Sequence, residues 1–487
     1  MVFTSFEYLL CFLPFVVLLS YSIANRNHYS AVLWICIASL AFYSFWKITY
    51  LPLLVFSIIF NYYCGLKAKN RNKLWLIFGV TLNICLLGYF KYANFFVDTV
   101  NIALGTNWSL AKIALPLAIS FFTFQQIAWL VDQYKNETPE CSFSEYTCAV
   151  SFFPHLIAGP IIQYHELVPQ LQNKSSFSLN WDNIAAGLFL IGMGAFKKIV
   201  IADSFSDYVA LCFDVLNSLG ILQAWVATLA YTMQIYFDFS GYCDIAIGSA
   251  LLLGITLPIN FNAPYKALSI QDFWRRWHIT LGYFLTNYLY FPLGGSKGTI
   301  LRTCFNIFFV MFISGIWHGA GFTFLLWGTV HGLALVVHRL WRQMGRKLPV
   351  GLAKGITFLF VSLAWVLFRA KDIHSAQKIY LALFGFDKIE FPRVVESFLG
   401  SGADIVFLKT KELFHMPASD VRILFAMLTL SFVVVFFCQP LQYIWGRYIV
   451  SNQKLMYSVS MGVGVLLFIT LLKMLLIPYS EFIYYNF

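Results

Sequence analysis

Charge is what this sequence has least of. Only 11% of its 487 residues are Asp, Glu, Lys or Arg, against about 25% in a soluble chain of ordinary composition. A water-soluble fold is excluded. Paired cysteines are missing too: the ten stand at 11, 36, 64, 85, 141, 148, 212, 243, 304 and 438, and no two form Cys-x-x-Cys. Metal-site spacing is therefore absent, no metal is expected, and the thiols read as small apolar interior residues. The sequence contains no Gly-x-Ser-x-Gly elbow, phosphate-binding glycine loop or His-Glu-x-x-His, so the usual soluble nucleophile, nucleotide and zinc-protease machinery is not there. Short alternating segments of the β-barrel kind are absent as well. No basic stretch precedes residues 3–20 and no small-residue cleavage site follows them, so that segment is expected to stay as the first membrane helix.

What is present is apolar. Hydrophobic residues make up 60% of the chain and the mean hydropathy is +0.72. Runs long enough to cross about 30 Å of hydrocarbon predict an all-α polytopic membrane protein. Candidate spans lie at about 5–24, 30–44, 48–66, 74–91, 110–131, 184–201, 221–237, 242–259, 302–317, 322–340, 352–368, 421–438 and 456–477. The net charge of +11 belongs to short loops between these runs rather than to a nucleic-acid surface. Arg26, Lys67, Lys69, Arg71, Lys73, Lys197, Lys198, Arg339, Arg342, Arg346 and Lys347 mark the cytoplasmic side. That assignment puts both termini and the long loop 371–420 outside, with Arg447 and Lys454 inside. There is no internal repeat and no soluble domain; the longest polar stretch, about 386–420, is too short to fold alone. A single integral-membrane domain over 1–487 is expected.

Two apolar stretches fit poorly as spans. Residues 147–165 are interrupted by Pro154 and Gly159-Pro160, and 278–295 end in Tyr290-Phe291-Pro292-Leu293-Gly294-Gly295. Broken segments survive at membrane depth when protein or a water-filled cavity covers them, so both read as re-entrant or interfacial pieces lining a cavity. Kinked amphipathic surface helices are the other reading.

Between Phe273 and His338 polar groups gather in lipid-like sequence, where each needs a partner or a purpose. The box Phe273-Trp274-Arg275-Arg276-Trp277-His278 comes first, then Trp317-His318-Gly319 at the end of an apolar run, then His331 inside another. Small residues follow His318, so its imidazole can face a cavity between two helices, and an imidazole suits general-base work on a hydroxyl. His331, four residues after Trp327, is either part of a site or ordinary packing. His338, beside Arg339, is explained by a headgroup contact. Asp238 and Asp244 flank Ser240-Gly241 between the seventh and eighth spans. They are expected to cap the eighth and pair with buried cations such as Arg275 or Arg276 rather than act as acid and base.

These stretches resemble a known family, the membrane-bound O-acyltransferases, and within it the branch of alginate and peptidoglycan O-acetyltransferase membrane subunits and the teichoic acid D-alanyl transfer protein. The matching residues are Phe152 to Ile161, Asp238 to Gly248, Asn260-Phe261-Asn262-Ala263-Pro264-Tyr265, Ser269 to Ile279, Tyr288 to Gly295, Gly315 to Ala320, Trp327-Gly328, His331-Gly332, Ala364 to Ala370 and a terminal Phe482-Ile483-Tyr484. The chain departs from the pattern after the Arg-Arg-Trp-His box: Gly282 replaces a serine, and Thr286-Asn287 stands where relatives carry Arg-Asp.

The resemblance implies a ring of about 11–13 transmembrane helices plus re-entrant segments around a thinned core. It makes His318 the catalytic residue, with His278 lining the same site. It also implies transfer of an acetyl group from cytoplasmic acetyl-CoA, a substrate and not a bound cofactor, across a bacterial inner membrane. The acceptor would be a hydroxyl on a cell-wall or exopolysaccharide sugar, reached through a periplasmic transferase partner. Arg275 and Arg276 would hold the donor's phosphates or amides, or else membrane lipid headgroups, and Trp274, Trp317, His331, Asp238 and Asp244 complete the candidate binding residues. The rival reading, a transporter or flippase of an acylated or lipid-linked sugar, predicts paired broken helices in two related halves, and no such symmetry is visible.

Overall fold

A computed structural model describes residues 1–157, 159–385, 414–445, 453–476 and 483. Most of the expected outer loop, and Phe482 and Tyr484 of the terminal motif, lie outside the described residues. Within them the chain is helical, apart from connecting segments and one isolated bridge, Phe261 with Trp277.

The first half contains α1 (Leu13–Ala24), α2 (His28–Ser44), α3 (Leu51–Ala68), α4 (Lys73–Leu104), α5 (Ile119–Lys135), α6 (Phe143–Ser151), α7 (Phe153–Leu156), α8 (Tyr164–Gln172) and α9 (Trp181–Ala195). A π-helical stretch Phe196–Ala202 leads to α10 (Asp203–Ala210), and α11 (Ile221–Leu251) follows. Then come α12 (Ile270–Trp274), α13 (Ile279–Leu285), α14 (Ile300–His318), α15 (Phe322–Gln343), α16 (Val350–Arg369), α17 (Ile373–Leu383), α18 (Ala418–Phe437), α19 (Leu441–Ile444) and α20 (Gln453–Leu476). Nine helical stretches among the described residues are long and apolar enough to cross a membrane. The protein is an all-α, multi-pass membrane protein.

The helix at the centre is not one of those nine. Every residue of α11 from Phe237 to Ala250 is buried, and α9, α10, α16 and α17 pack on it. Its protein-facing surroundings tolerate the Thr, Gln, Ser and Asp that spoil a lipid-facing helix. Outer helices show the reverse, with Leu74, Ile77, Phe78 and Ile84 of α4 all exposed.

Three expectations need correcting here. Spans 221–237 and 242–259 are one helix, because Ser240-Gly241 is a packing notch rather than a break. A Cβ on Gly241 would lie 2.6 Å from the Gly194 carbonyl oxygen of α9, and one on Gly248 would lie 2.6 Å from that of Gly187. Small residues at these positions let two helix backbones touch. The span at 110–131 starts late: residues 105–116 carry no helix, and α5 begins at Ile119 after Ala118, whose φ of 61° is left-handed. Lys197 and Lys198 are not loop charges. They lie in the π-helical stretch Phe196–Ala202, against α11.

The two broken stretches differ. Residues 148–157 and 159–164 are all buried. This piece packs inside, its backbone served by Ser39 Oγ at Phe153 N (3.1 Å) and Thr280 Oγ1 at Ile161 N (3.0 Å). The second piece, 278–295, borders an open cavity.

Filling the notch at Gly241 should be costly. Gly241→Val forces two backbones apart and should lose about 1–3 kcal/mol, the usual price of overpacking. Thermal unfolding in detergent measures this; a midpoint equal to that of the unsubstituted protein contradicts the close contact.

Candidate active site

The sequence from Phe273 to His331 folds so that its aromatic and imidazole rings form one continuous file. Trp274 ends α12, His278 starts α13, Trp317 and His318 end α14, and Trp327 and His331 lie one turn apart on α15. Ring centroids run Trp274–His331 5.1 Å, His331–Trp327 4.8 Å, Trp327–His318 5.0 Å, His318–Trp317 4.8 Å and Trp317–His278 6.5 Å. Phe368 of α16 closes against His318 at 5.1 Å, and Phe239 of α11 against His278 at 4.8 Å. All three histidines are buried. Edge-to-face contacts such as these hold each imidazole plane.

Hydrogen bonds fix the two outer rings. Trp274 Nε1 donates to His331 Nδ1 at 3.3 Å, which ties this histidine of α15 to α12. His278 occupies a left-handed backbone conformation (φ 46°) at the start of α13, a strain of the kind concentrated at functional sites. Its Nδ1 meets Asn260 Oδ1 at 3.2 Å, and the same oxygen accepts from Thr280 N (3.2 Å) and Oγ1 (2.8 Å). With Nδ1–H donated to Asn260, the lone pair of His278 falls on Nε2. That atom is buried without a hydrogen-bond partner among the described residues, as are His331 Nε2, Trp317 Nε1, Trp327 Nε1 and Ser314 Oγ. Ser314 lies one turn before His318. Unmet polar atoms inside a protein cost about 1–3 kcal/mol each, and these five are distributed along the ring file and the turn of α14 before it.

The end of α14 is held from outside. Tyr92 of α4 donates its hydroxyl to Ile316 O at 2.5 Å. Lys91 Nζ donates to the carbonyl oxygens of Trp317 and His318, the latter at 3.3 Å, and lies 3.4 Å from Ser120 Oγ. Neither residue was foreseen. A lysine among Phe90, Tyr92 and Phe95 was the available signal, but the span was drawn to end at 91, whereas α4 runs to Leu104.

A cavity of about 730 Å³ opens beside the file, lined by Gln271, Trp274, Arg275, Thr286, Asn287, Tyr290, His338 and Arg339 among others. Arg275 is exposed and faces it. Arg276 does not line it, being bound to Asp272 (2.8 Å) and Asn262 O (3.3 Å). Arg339 joins Arg275 in supplying the cationic wall instead. The departures Gly282, Thr286 and Asn287 sit in the same lining, and Trp274 separates the cavity from His331.

Asp238 and Asp244 are not helix caps and do not touch either arginine of the box. Asp238 pairs with Lys198 at 2.7 Å, Asp203 holds the same ammonium at 2.7 Å, and Asp244 pairs with Lys197 at 2.6 Å. Asp238 also accepts from Ile483 N at 3.0 Å. Their partners precede them by some 40 residues, which no local spacing announces. Among the described residues, no group of three His, Cys, Asp or Glu is arranged to hold a metal ion.

A polytopic helical membrane protein with three buried histidines in one ring file is the class that fold and site define together. The chain matches the family described as MBOAT, membrane-bound O-acyltransferase family, over residues 79–369. It is 47% identical over 412 residues to a peptidoglycan O-acetyltransferase of Helicobacter pylori, covering 78% of each chain. It is 41% identical over 399 residues to a probable alginate O-acetylase AlgI of Pseudomonas aeruginosa, covering 79% of this chain and 75% of that one. A teichoic acid D-alanyltransferase of Bacillus subtilis is 26% identical over 277 residues. The chain belongs to the membrane-bound O-acyltransferase family and is an O-acyltransferase. The transporter reading falls.

Removing the shared cation of the ion pairs should be severe. Lys198→Met leaves Asp203 and Asp238 facing each other without their counter-charge, a loss of about 3–5 kcal/mol for a broken buried pair. The yield of monodisperse protein in detergent should collapse; an unchanged yield would show the pairs to be dispensable.

Proposed function

We propose that this enzyme takes acetyl groups from cytoplasmic acetyl-CoA and delivers them across a bacterial inner membrane to a hydroxyl on a cell-wall or exopolysaccharide sugar. The observation that carries the reading is the cationic cavity ending one ring short of a buried three-histidine file. Arg275 and Arg339 suit the phosphates of a donor. The pantetheine arm would lie along Trp274 toward the centre. The relatives named above for acetylating peptidoglycan and alginate support acetyl as the group and a polysaccharide as the acceptor.

In the chemistry we propose, His318 takes the proton from an attacking hydroxyl as its oxygen bonds to the thioester carbonyl carbon. The C–S bond then breaks and the proton returns to the departing sulfur. His278, whose Nε2 is buried without a partner among the described residues, would orient donor or acceptor. The resident chemistry needs no metal. A periplasmic transferase partner would receive the acetyl group on the outer face, with lipids surrounding a single membrane domain over 1–487.

The direction of transfer follows the charges. Arg339, Arg342, Arg346 and Lys347 gather at the end of α15, and α16 returns from there, so α17 and the start of α18 lie at the opposite face. Val2 to Glu7 share a second cavity, of about 860 Å³, with Met416, Asp420 and Lys473. The first residues and Lys473, near the end of α20, thus accompany the face opposite the basic cluster, which supports an outer N-terminus, an outer C-terminus and an outer loop 371–420.

His318→Ala should abolish acetylation of the polysaccharide in cells at normal protein level; normal acetylation would sink the assignment. Arg275→Ala or Arg339→Ala should raise the KM for acetyl-CoA about tenfold and leave kcat alone, as loss of one charge-assisted hydrogen bond does. An unchanged KM in both variants would move the donor elsewhere.

A further inference from the structure

The last carbonyls of an α-helix have no partner within it, and α14 ends at the histidine on which the chemistry above rests. Its final oxygens are met from another helix. Tyr92 takes Ile316 O, and Lys91 takes Trp317 O and His318 O together, with Ser120 Oγ as a further neighbour. Lys91 also lies 5.7 Å from the centroid of the Trp317 ring. Beyond the helix end the chain is committed at once: a Cβ on Gly319 would fall 2.2 Å from the Phe324 ring, which itself packs on Phe368.

We infer that Lys91 is a positioning residue: it clamps the backbone of residues 317 and 318 and so sets where the His318 imidazole points. A cation at a helix C-terminus is favourable in itself, yet a lysine held among apolar helices is expensive to desolvate. A neutral donor such as Tyr92 satisfies one carbonyl. An ammonium supplies three donors at one point, and here they span two successive carbonyls and a hydroxyl on α5. The clamp therefore ties α4 and α5 to the last turn of α14, a connection that packing of α14 on α15 alone would not give.

This rests on His318 being the reacting base, and the His318→Ala variant tests that separately. The measurement is steady-state acetyl transfer in membranes at matched folded protein, with thermal midpoint recorded for each variant. Lys91→Met should lower kcat by about 10²-fold, the scale of a 1 Å misplacement, with the KM for acetyl-CoA within about twofold and the midpoint little changed. Lys91→Arg, which keeps a charged donor, should recover most of the rate. Should wild-type membranes not use acetyl-CoA, polysaccharide acetylation in cells gives the same ranking of Lys91→Met against Lys91→Arg. A Lys91→Met enzyme with unaltered kcat, or one whose loss follows only the amount of folded protein or only KM, overturns the inference.

Discussion

The fold depends on a lysine that two aspartates share inside the membrane. Lys198 bridges Asp203 and Asp238 at 2.7 Å each, and its neighbour Lys197 holds Asp244. Ions at this depth are tolerated only in mutual contact, so α11 cannot slide or rotate against the π-helical stretch without exposing a charge. The glycine notches at 194 and 241 bring the two backbones into contact beside these pairs, a Cβ on Gly241 falling 3.0 Å from Lys198 N. Packing and electrostatics therefore fix the same register. Phe239 follows Asp238 directly and rests on His278, which carries that register to the site.

The site is built from planes. Three tryptophans, with Phe239 and Phe368, hold three imidazoles by edge contacts, with few hydrogen bonds and five buried polar atoms left without a partner among the described residues. Ring packing of this kind orients a base without satisfying its nitrogens, and a substrate can then do so. It also excludes water, which strengthens any interaction with the charge developing during transfer. The aromatic content of 19% is in part the material of this shell.

How much was legible from sequence follows from what each feature depends on. Lipid-facing helices such as α4, α14 and α16 were plain because lipid demands an uninterrupted apolar run. His318, His278 and Trp274 stood out because polar and basic residues in such runs need a reason. The continuity of α11 was hidden, since Ser240-Gly241 looks the same whether it breaks a helix or admits a neighbour. The partners of Asp238 and Asp244 were misjudged because nearby arginines were the obvious cations, while the lysines that pair with them looked like loop markers. Lys91 was missed because the span was drawn to end at 91 while the helix continues to Leu104, and its target lies 226 residues on. Arg339 replaced Arg276 for a reason only geometry gives: Asp272 of α12, four residues back, had already engaged Arg276.

A structure of the enzyme with a non-hydrolysable acetyl-CoA analogue tests the account most directly. The analogue's phosphates should lie against Arg275 and Arg339, its arm should pass Trp274, and its acyl carbonyl should stop within hydrogen-bond reach of His318 or His278. An analogue seated instead in the cavity of Asp203, Asp420 and Lys473, or ending short of the histidine file, would contradict it.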